Sequence, residues 1–378
     1  MTSKELAHSA QLHLETSTGG DFKRAHIYEL LAASFGFNSY AALGANSVFT
    51  EQSLSSRRST SHGLLVHSRC VELGYPPDIA KTASVALPSF LSTREIGVIR
   101  ISDLVAHLRS ELGRYDATPN EDIDTDEDET VDEDWIDIDY LASPILLDGL
   151  AVAANKDNAD AHYALALIHA PGDDDSDDNE VGSEYWYAQA QNGRVLTGVE
   201  KEWAETHAAH LVRAEKYVRH LQEAARLGQQ EALLELADRF DDPTFFEQPD
   251  GRVDADPVSI ADIASRLGRP KDARKWLVVA AESGDTEAMR QLIEEFDHGD
   301  PLQCWTWVYL AELVGKDLTK DEHYAINEDG SSYDDDVGGP AYVGGREGVE
   351  LTPISTEQSD AARRAAQLIF QEMKRMAG

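Results

Sequence analysis

Residues 271–290 read KDARKWLVVAAESGDTEAMR, and the punctuation of that stretch decides the fold class. Ala273, Trp276, Leu277, Ala280 and Ala281 recur at the three-and-four spacing of one helical face. Ser283-Gly284-Asp285 then interrupts the pattern. A glycine just past a helix end takes the left-handed conformation that other residues avoid. Asp285 is placed to cap a following helix whose inner face is Ala288, Met289 and Leu292. Small side chains at Ala280, Ala281 and Ala288 let two helices approach closely. The stretch predicts a helical hairpin, which is an architecture and names no substrate.

The same spacing returns downstream. Trp276 stands eight residues before Gly284, and Trp307 stands eight before Gly315, so the two copies are 31 residues apart. Ala273 and Cys304 precede the two tryptophans by three positions, and Ala280 and Ala311 follow them by four. Upstream, Ala224-Ala225-Arg226-Leu227-Gly228 with Ala232 parallels Ala280-Ala281-Glu282-Ser283-Gly284 with Ala288. Tyr185-Trp186-Tyr187 followed by Gly193 is a fainter copy. Self-similarity of this period is the mark of stacked helical pairs.

The succession AxxW, AAESG and DTEAM resembles the Sel1-like repeat, a relative of the tetratricopeptide repeat. Residues 273–288 fit it closely, 217–236 fit at the Ala-Ala-x-x-Gly-x-x-x-Ala part, and 304–315 keep the Trp and Gly but carry Glu312 in place of the second alanine. The resemblance covers about residues 140–320, with acidic insertions at 172–182, 241–256 and 316–356 where the family has short loops. It implies a mainly α fold, a helical-hairpin solenoid whose concave face binds proteins or peptides. Catalysis and cofactors are not among its implications. The repeat-structural residues are then Ala273, Trp276, Ala280, Ala281, Gly284, Ala288, Trp307, Gly315 and Gly228.

Charge divides the chain. The 378 residues carry a formal charge of -37, yet residues 1–115 hold eleven Lys/Arg against ten Asp/Glu, while 116–378 hold twenty-two against sixty. Such a field repels phosphate backbones and attracts a protein with a basic surface. Residues 116–139 contain thirteen Asp/Glu and no Lys or Arg, the composition of a solvated tether. Trp135, Ile136 and Ile138 at its end are a candidate docking element. The two cysteines, Cys70 and Cys304, supply neither a disulfide framework nor a four-cysteine zinc site, and two buried, reduced thiols suit the cytoplasm. The N-terminus lacks the apolar core of a signal peptide, and no run of eighteen apolar residues predicts a membrane span.

The organisation read along the chain is an N-terminal helical module at 1–46, a Ser/Thr-rich linker at 47–62 containing Arg57 and Arg58, and a second, mostly helical unit at 63–115. The acidic tether at 116–139 follows, then an α-helical repeat domain at 140–378 closed by a capping helix at 356–376. Val98, Ile99 and Ile101 read as a short β-like segment. Residues 22–46 trace the outline of a helix-turn-helix, but Lys23 and Arg24 are their only basic residues. A packing module is the preferred reading there, and a nucleic-acid-linked regulator the alternative.

Candidate chemistry is sparse. Glu205, His207 and His210 share a helical face without the third or fourth ligand that zinc needs. Asp173, Asp175, Asp177 and Glu184 follow calcium-loop spacing, but Asp178 stands where the turn requires glycine, and Glu180 where an apolar anchor belongs. Gly338-Gly339-Pro340 with Gly344-Gly345 lacks the Lys-Ser/Thr of a phosphate loop. Cys70 lies three residues after His67 in a stretch patterned as core. No catalytic, metal or cofactor-binding residue is assigned; an enzyme whose site is assembled from distant residues is the third reading. Tyr324, Tyr333 and Tyr342 lie in the long segment before the last helix and are the candidate partner-binding loop. The sequence therefore predicts a scaffold, adaptor or inhibitor that engages a basic protein.

Overall fold

The helices begin and end where capping residues put them. In the computed structural model, which describes residues 1–51, 62–111, 143–171, 182–248, 253–327 and 342–377, the fold is mainly helical, with four short strands among those residues. The acidic tether at 116–139, the linker from 52 onward to 61, the carboxylates from Asp173 to Glu180, Gly338-Gly339 and Tyr333 lie outside the described residues.

Helix α1 (Ser3–Thr18) opens on a capping box, the Thr2 side chain accepting from the Glu5 N–H while the Glu5 side chain reaches back to the Thr2 N–H. Helices α2 (Arg24–Ser34) and α3 (Tyr40–Asn46) follow, α3 capped by Ser39. Strand β1 (Ser47–Glu51) pairs antiparallel with β2 (Ile96–Arg100), Phe49 opposite Val98. The start of the expected linker is therefore a buried strand, and the β-like segment expected at 98–101 begins two residues earlier. Between them lie α4 (Gly63–Glu72) and α5 (Pro77–Thr93), and α6 (Ile101–Glu111) follows β2.

Leu6, Leu14, Phe22, Leu30, Phe49, Cys70, Leu87 and Ile96 share one core. Ile145 of α7 (Pro144–Ala154) belongs to it too, so the elements read as separate N-terminal modules fold on a common interior. Helix α3 packs against α7, and the Asn158 side chain donates to the Ala45 carbonyl at 2.9 Å. Helices α8 (Ala159–His169), α9 (Ser183–Gln191), α10 (Val199–Arg226) and α11 (Gln230–Phe240) continue the unit, α8 and α11 each packing on α10. At their centre the fully buried Glu235 accepts from Tyr163 at 3.2 Å and Tyr217 at 2.7 Å and lies 3.7 Å from Arg239 Nε, so its burial is offset by hydroxyl donors and a nearby cation.

The described residues form two compact units, one drawn from residues 1–240 and the other from 241–378. That division lies inside the 140–378 span read as one repeat domain. The second unit comprises a single turn α12 (Thr244–Glu247), α13 (Pro257–Arg266), α14 (Pro270–Ser283), α15 (Thr286–Gln291) running into a π-helical turn at Leu292–Phe296, and α16 (Pro301–Val314). A hairpin of β3 (Glu322–Ile326) and β4 (Tyr342–Arg346) precedes α17 (Thr356–Ala377), which packs on α16 and α14. Its core is Leu277, Ala280, Ala281, Met289, Leu292, Trp307, Val308 and Leu310, joined by Ala362 and Ala366 of α17. Among the described residues no helix is long and apolar enough to cross a membrane.

Candidate functional site: the cleft beside the repeated helices

Helices α14 and α16 are both fourteen residues long, both begin with proline, and both end on a glycine in the left-handed region. Pro270 and Pro301, like Gly284 and Gly315, are 31 residues apart. A proline at the first helical position loses no hydrogen bond, since that N–H has no partner within the helix. Ala273, Ala280, Ala281, Ala288 and Trp307 are buried. Trp276 is only half-buried, its ring 6.2 Å from that of Phe245, so Trp276 and Trp307 are unequal in burial. Gly228, at φ +90°, lies between α10 and α11 in the first unit.

A residue that periodicity did not single out joins the repeated helices. Asp297, just past the π-helical turn, is 5% exposed. Its carboxylate accepts from Arg274 Nε of α14 at 2.6 Å and from Trp307 Nε1 of α16 at 3.0 Å. The Cys304 thiol donates to the Asp297 carbonyl at 3.0 Å, and burial, reinforced by Asp297 and Asp300, raises that thiol's pKa. One aspartate thereby ties α14 to α16. Only the charge-matched residue types of Arg274 and Asp297, 23 positions apart, hinted at the pairing.

On another side of the same turn lies a cleft of about 550 Å³, lined by Arg290, Ile293, Glu294, His298, Arg346, Glu347, Gly348 and Glu350. Arg290, 4% exposed, is its strut: Nη1 donates to Glu294 at 3.1 Å and to the Glu347 carbonyl at 3.0 Å, and Nη2 lies 3.5 Å from the Leu318 carbonyl. The run after β4 is further held by Val349 N–H donating to the Leu318 carbonyl at 2.9 Å and by Trp305 Nε1 donating to the Thr352 carbonyl at 2.9 Å. Arg290 is paired with Glu294, and Arg346 with Glu287. With both guanidiniums paired, Glu347 and Glu350 leave the wall acidic, which favours a cationic side chain over an anion.

Tyr324 and Tyr342 stand at the hairpin that leads into this cleft. Tyr324 pairs with Gly344 and Ile326 with Tyr342, which puts both tyrosines on one face as diagonal neighbours. They are 62% and 45% exposed.

The remaining candidates lie apart. His207 packs its ring 5.1 Å from Tyr187. Cys70 is buried, and burial pushes its thiol up to about 11, far from a nucleophile's range. Among the described residues no group of three or more His, Cys, Asp or Glu is placed to hold a metal ion. A separate seam does gather histidines: His162 and His169 on α8 face His220 on α10, with His162 and His220 Nδ1 atoms 3.0 Å apart. Sequence reasoning missed it because the contact joins two helices far apart in the chain, His162 and His220 being 58 positions apart. No protein-family model, curated protein or solved structure matches the chain.

Proposed function

We propose that this chain is a non-enzymatic scaffold, adaptor or inhibitor of the Sel1-like repeat type, acting in the cytoplasm on a protein with a basic surface. The observation that carries the reading is the recurrence of one device, a proline-started, glycine-ended fourteen-residue helix at a 31-residue offset, with an acidic cleft beside it. Equal helices with equal caps are what a stacked repeat requires, and stacked repeats present surfaces to other chains. The partner's charge follows from the formal -37 and from Glu347 and Glu350 on the cleft wall.

The test is affinity purification of the full chain with mass spectrometry, repeated from about 0.05 to about 0.5 M salt, a range across which screening shortens several-fold. A basic partner, recovered less as salt rises and less again by Glu347→Lys/Glu350→Lys, is the expected result. A partner whose recovery ignores both salt and the charge reversal overturns the electrostatic part of the reading.

A further inference from the structure

Helix α10 is 28 residues long, and its N-terminal half packs on α9. That hairpin leaves large apolar side chains in water: Trp203 is 46% exposed, Val199 55% and Tyr185 55%. Val199 and Trp203 are one helical turn apart and share a face. Tyr185 meets Trp186 edge-on at 5.1 Å between ring centroids. Arg194 from the connecting loop lies over the Trp186 ring at 4.7 Å and reaches Glu200 at 3.4 Å. The protein's own arginine thus shows the recognition chemistry available here: a guanidinium held between an indole face and a carboxylate.

Trp203 offers a second exposed indole on the same hairpin, without an occupant. It follows Glu200 by three positions on the helix and adjoins Glu202, and its ring has no aromatic or cationic partner among the described contacts. The charged residues of the hairpin are Glu184, Glu200, Glu202 and Glu205 against Arg194 and Lys201, so the hairpin is acidic. Glu200 pairs with Arg194 and Glu205 with Lys201, which leaves Glu184 and Glu202 of this hairpin without a cationic partner among the described residues. An exposed tryptophan on such a surface suits an arginine better than a lysine, because a guanidinium stacks on the ring while its N–H groups remain free for a carboxylate. We propose that the α9–α10 hairpin is a docking surface for an arginine-rich segment of a partner protein, with Trp203 as the stacking residue. This deepens the basic-partner reading by naming a surface and a preferred side chain, and rests on that reading only for the sign of the partner's charge.

The experiment titrates the full chain with a fluorescein-labelled Arg-Gly decapeptide and, in parallel, a Lys-Gly decapeptide of equal charge. The expected result is tighter binding of the arginine peptide, weakened about fivefold by Trp203→Ala and similarly by Tyr185→Ala. Neither variant changes the net charge, so general attraction to an acidic protein predicts no effect of either. Both side chains are exposed, and an unchanged melting curve confirms that each variant is folded. Equal affinity of wild type and both variants, or equal affinity for the two peptides, overturns the proposal. So does absence of binding at low salt. If Trp203→Ala instead dissociates a dimer seen by sedimentation, the occupant is a second copy and the proposal falls. A basic partner recovered in purification but indifferent to Trp203→Ala leaves the scaffold reading standing and removes this surface alone.

Discussion

Gly284 and Gly315 hold the same place in two fourteen-residue helices, yet their surroundings differ. Both have φ beyond +100°, a conformation that costs a side-chain-bearing residue about 1–2 kcal/mol. A Cβ at Gly284 would also stand 2.9 Å from the Met373 methyl of α17, whereas a Cβ at Gly315 meets nothing within 4 Å. Gly315→Ala is therefore expected to lower stability by about 1–2 kcal/mol, the backbone cost alone. Gly284→Val adds β-branching and a displaced Met373, and is expected to cost about 2–4 kcal/mol. Urea unfolding of both variants measures the difference. Equal losses would mean that the tail of Met373 yields freely; no loss in either would mean that these helices do not end on left-handed glycines.

The seam between α8 and α10 belongs to the scale of elements. Burial, with Lys216, Arg213 and Arg219 nearby, holds His169 down to about 4. Burial, then Arg219 and the other two histidines, holds His220 to about 4 as well. His162 is lowered mainly by burial, against the opposing pull of its hydrogen bond to Ala154 and of Glu223. In the unfolded chain these imidazoles titrate near 6.5, so between about 4 and 6.5 the unfolded state binds more protons. Stability contributed by the neutral seam is complete above that window and is lost as pH falls through it. Because the rings are half-exposed, the combined loss by pH 5 is discounted to roughly 1–2 kcal/mol. Replacing His169 and His220 by Gln should flatten the melting temperature between pH 7.5 and 5 relative to wild type; parallel curves would refute the seam's role. The end of α10 was legible from sequence, since Gly228 stands where a helix terminator belongs. The chemistry of the seam was not, because a histidine's neighbours across a helix pair depend on a packing angle that local pattern does not encode. Strand β1 was misread for a related reason: Ser47 and Thr50 look like linker residues until Ile96–Arg100, almost fifty positions away, supplies their hydrogen bonds. The cleft was hidden likewise, its walls joined by Arg290 and the carbonyl of Glu347.

At the scale of the whole molecule, composition and tertiary contacts mark different joints. Composition marks 116–139, where carboxylates repel one another; tertiary contacts mark the step from Phe240 to Asp241. Ile145 explains part of the difference, since an element beyond the acidic stretch completes the core begun by α1 to α5. Two units with separate cores should unfold as two cooperative transitions. Leu30 is fully buried in the first core and Trp307 1% exposed in the second. Leu30→Ala is expected to lower one calorimetric transition by about 2–5 kcal/mol, and Trp307→Ala the other by about 3–5 kcal/mol. The half-buried Trp276 should cost less, about 1–2 kcal/mol on truncation, and in the same transition as Trp307. Acidification from pH 7.5 to 5 carries a further internal check, because the histidine seam lies wholly within the first unit: His169→Gln with His220→Gln should alter the pH response of the transition that Leu30→Ala moves, and leave that of the Trp307 transition as it is. A single transition shifted by both truncations would show that the two cores unfold as one cooperative body, and would make the step at Phe240 a crease within a domain.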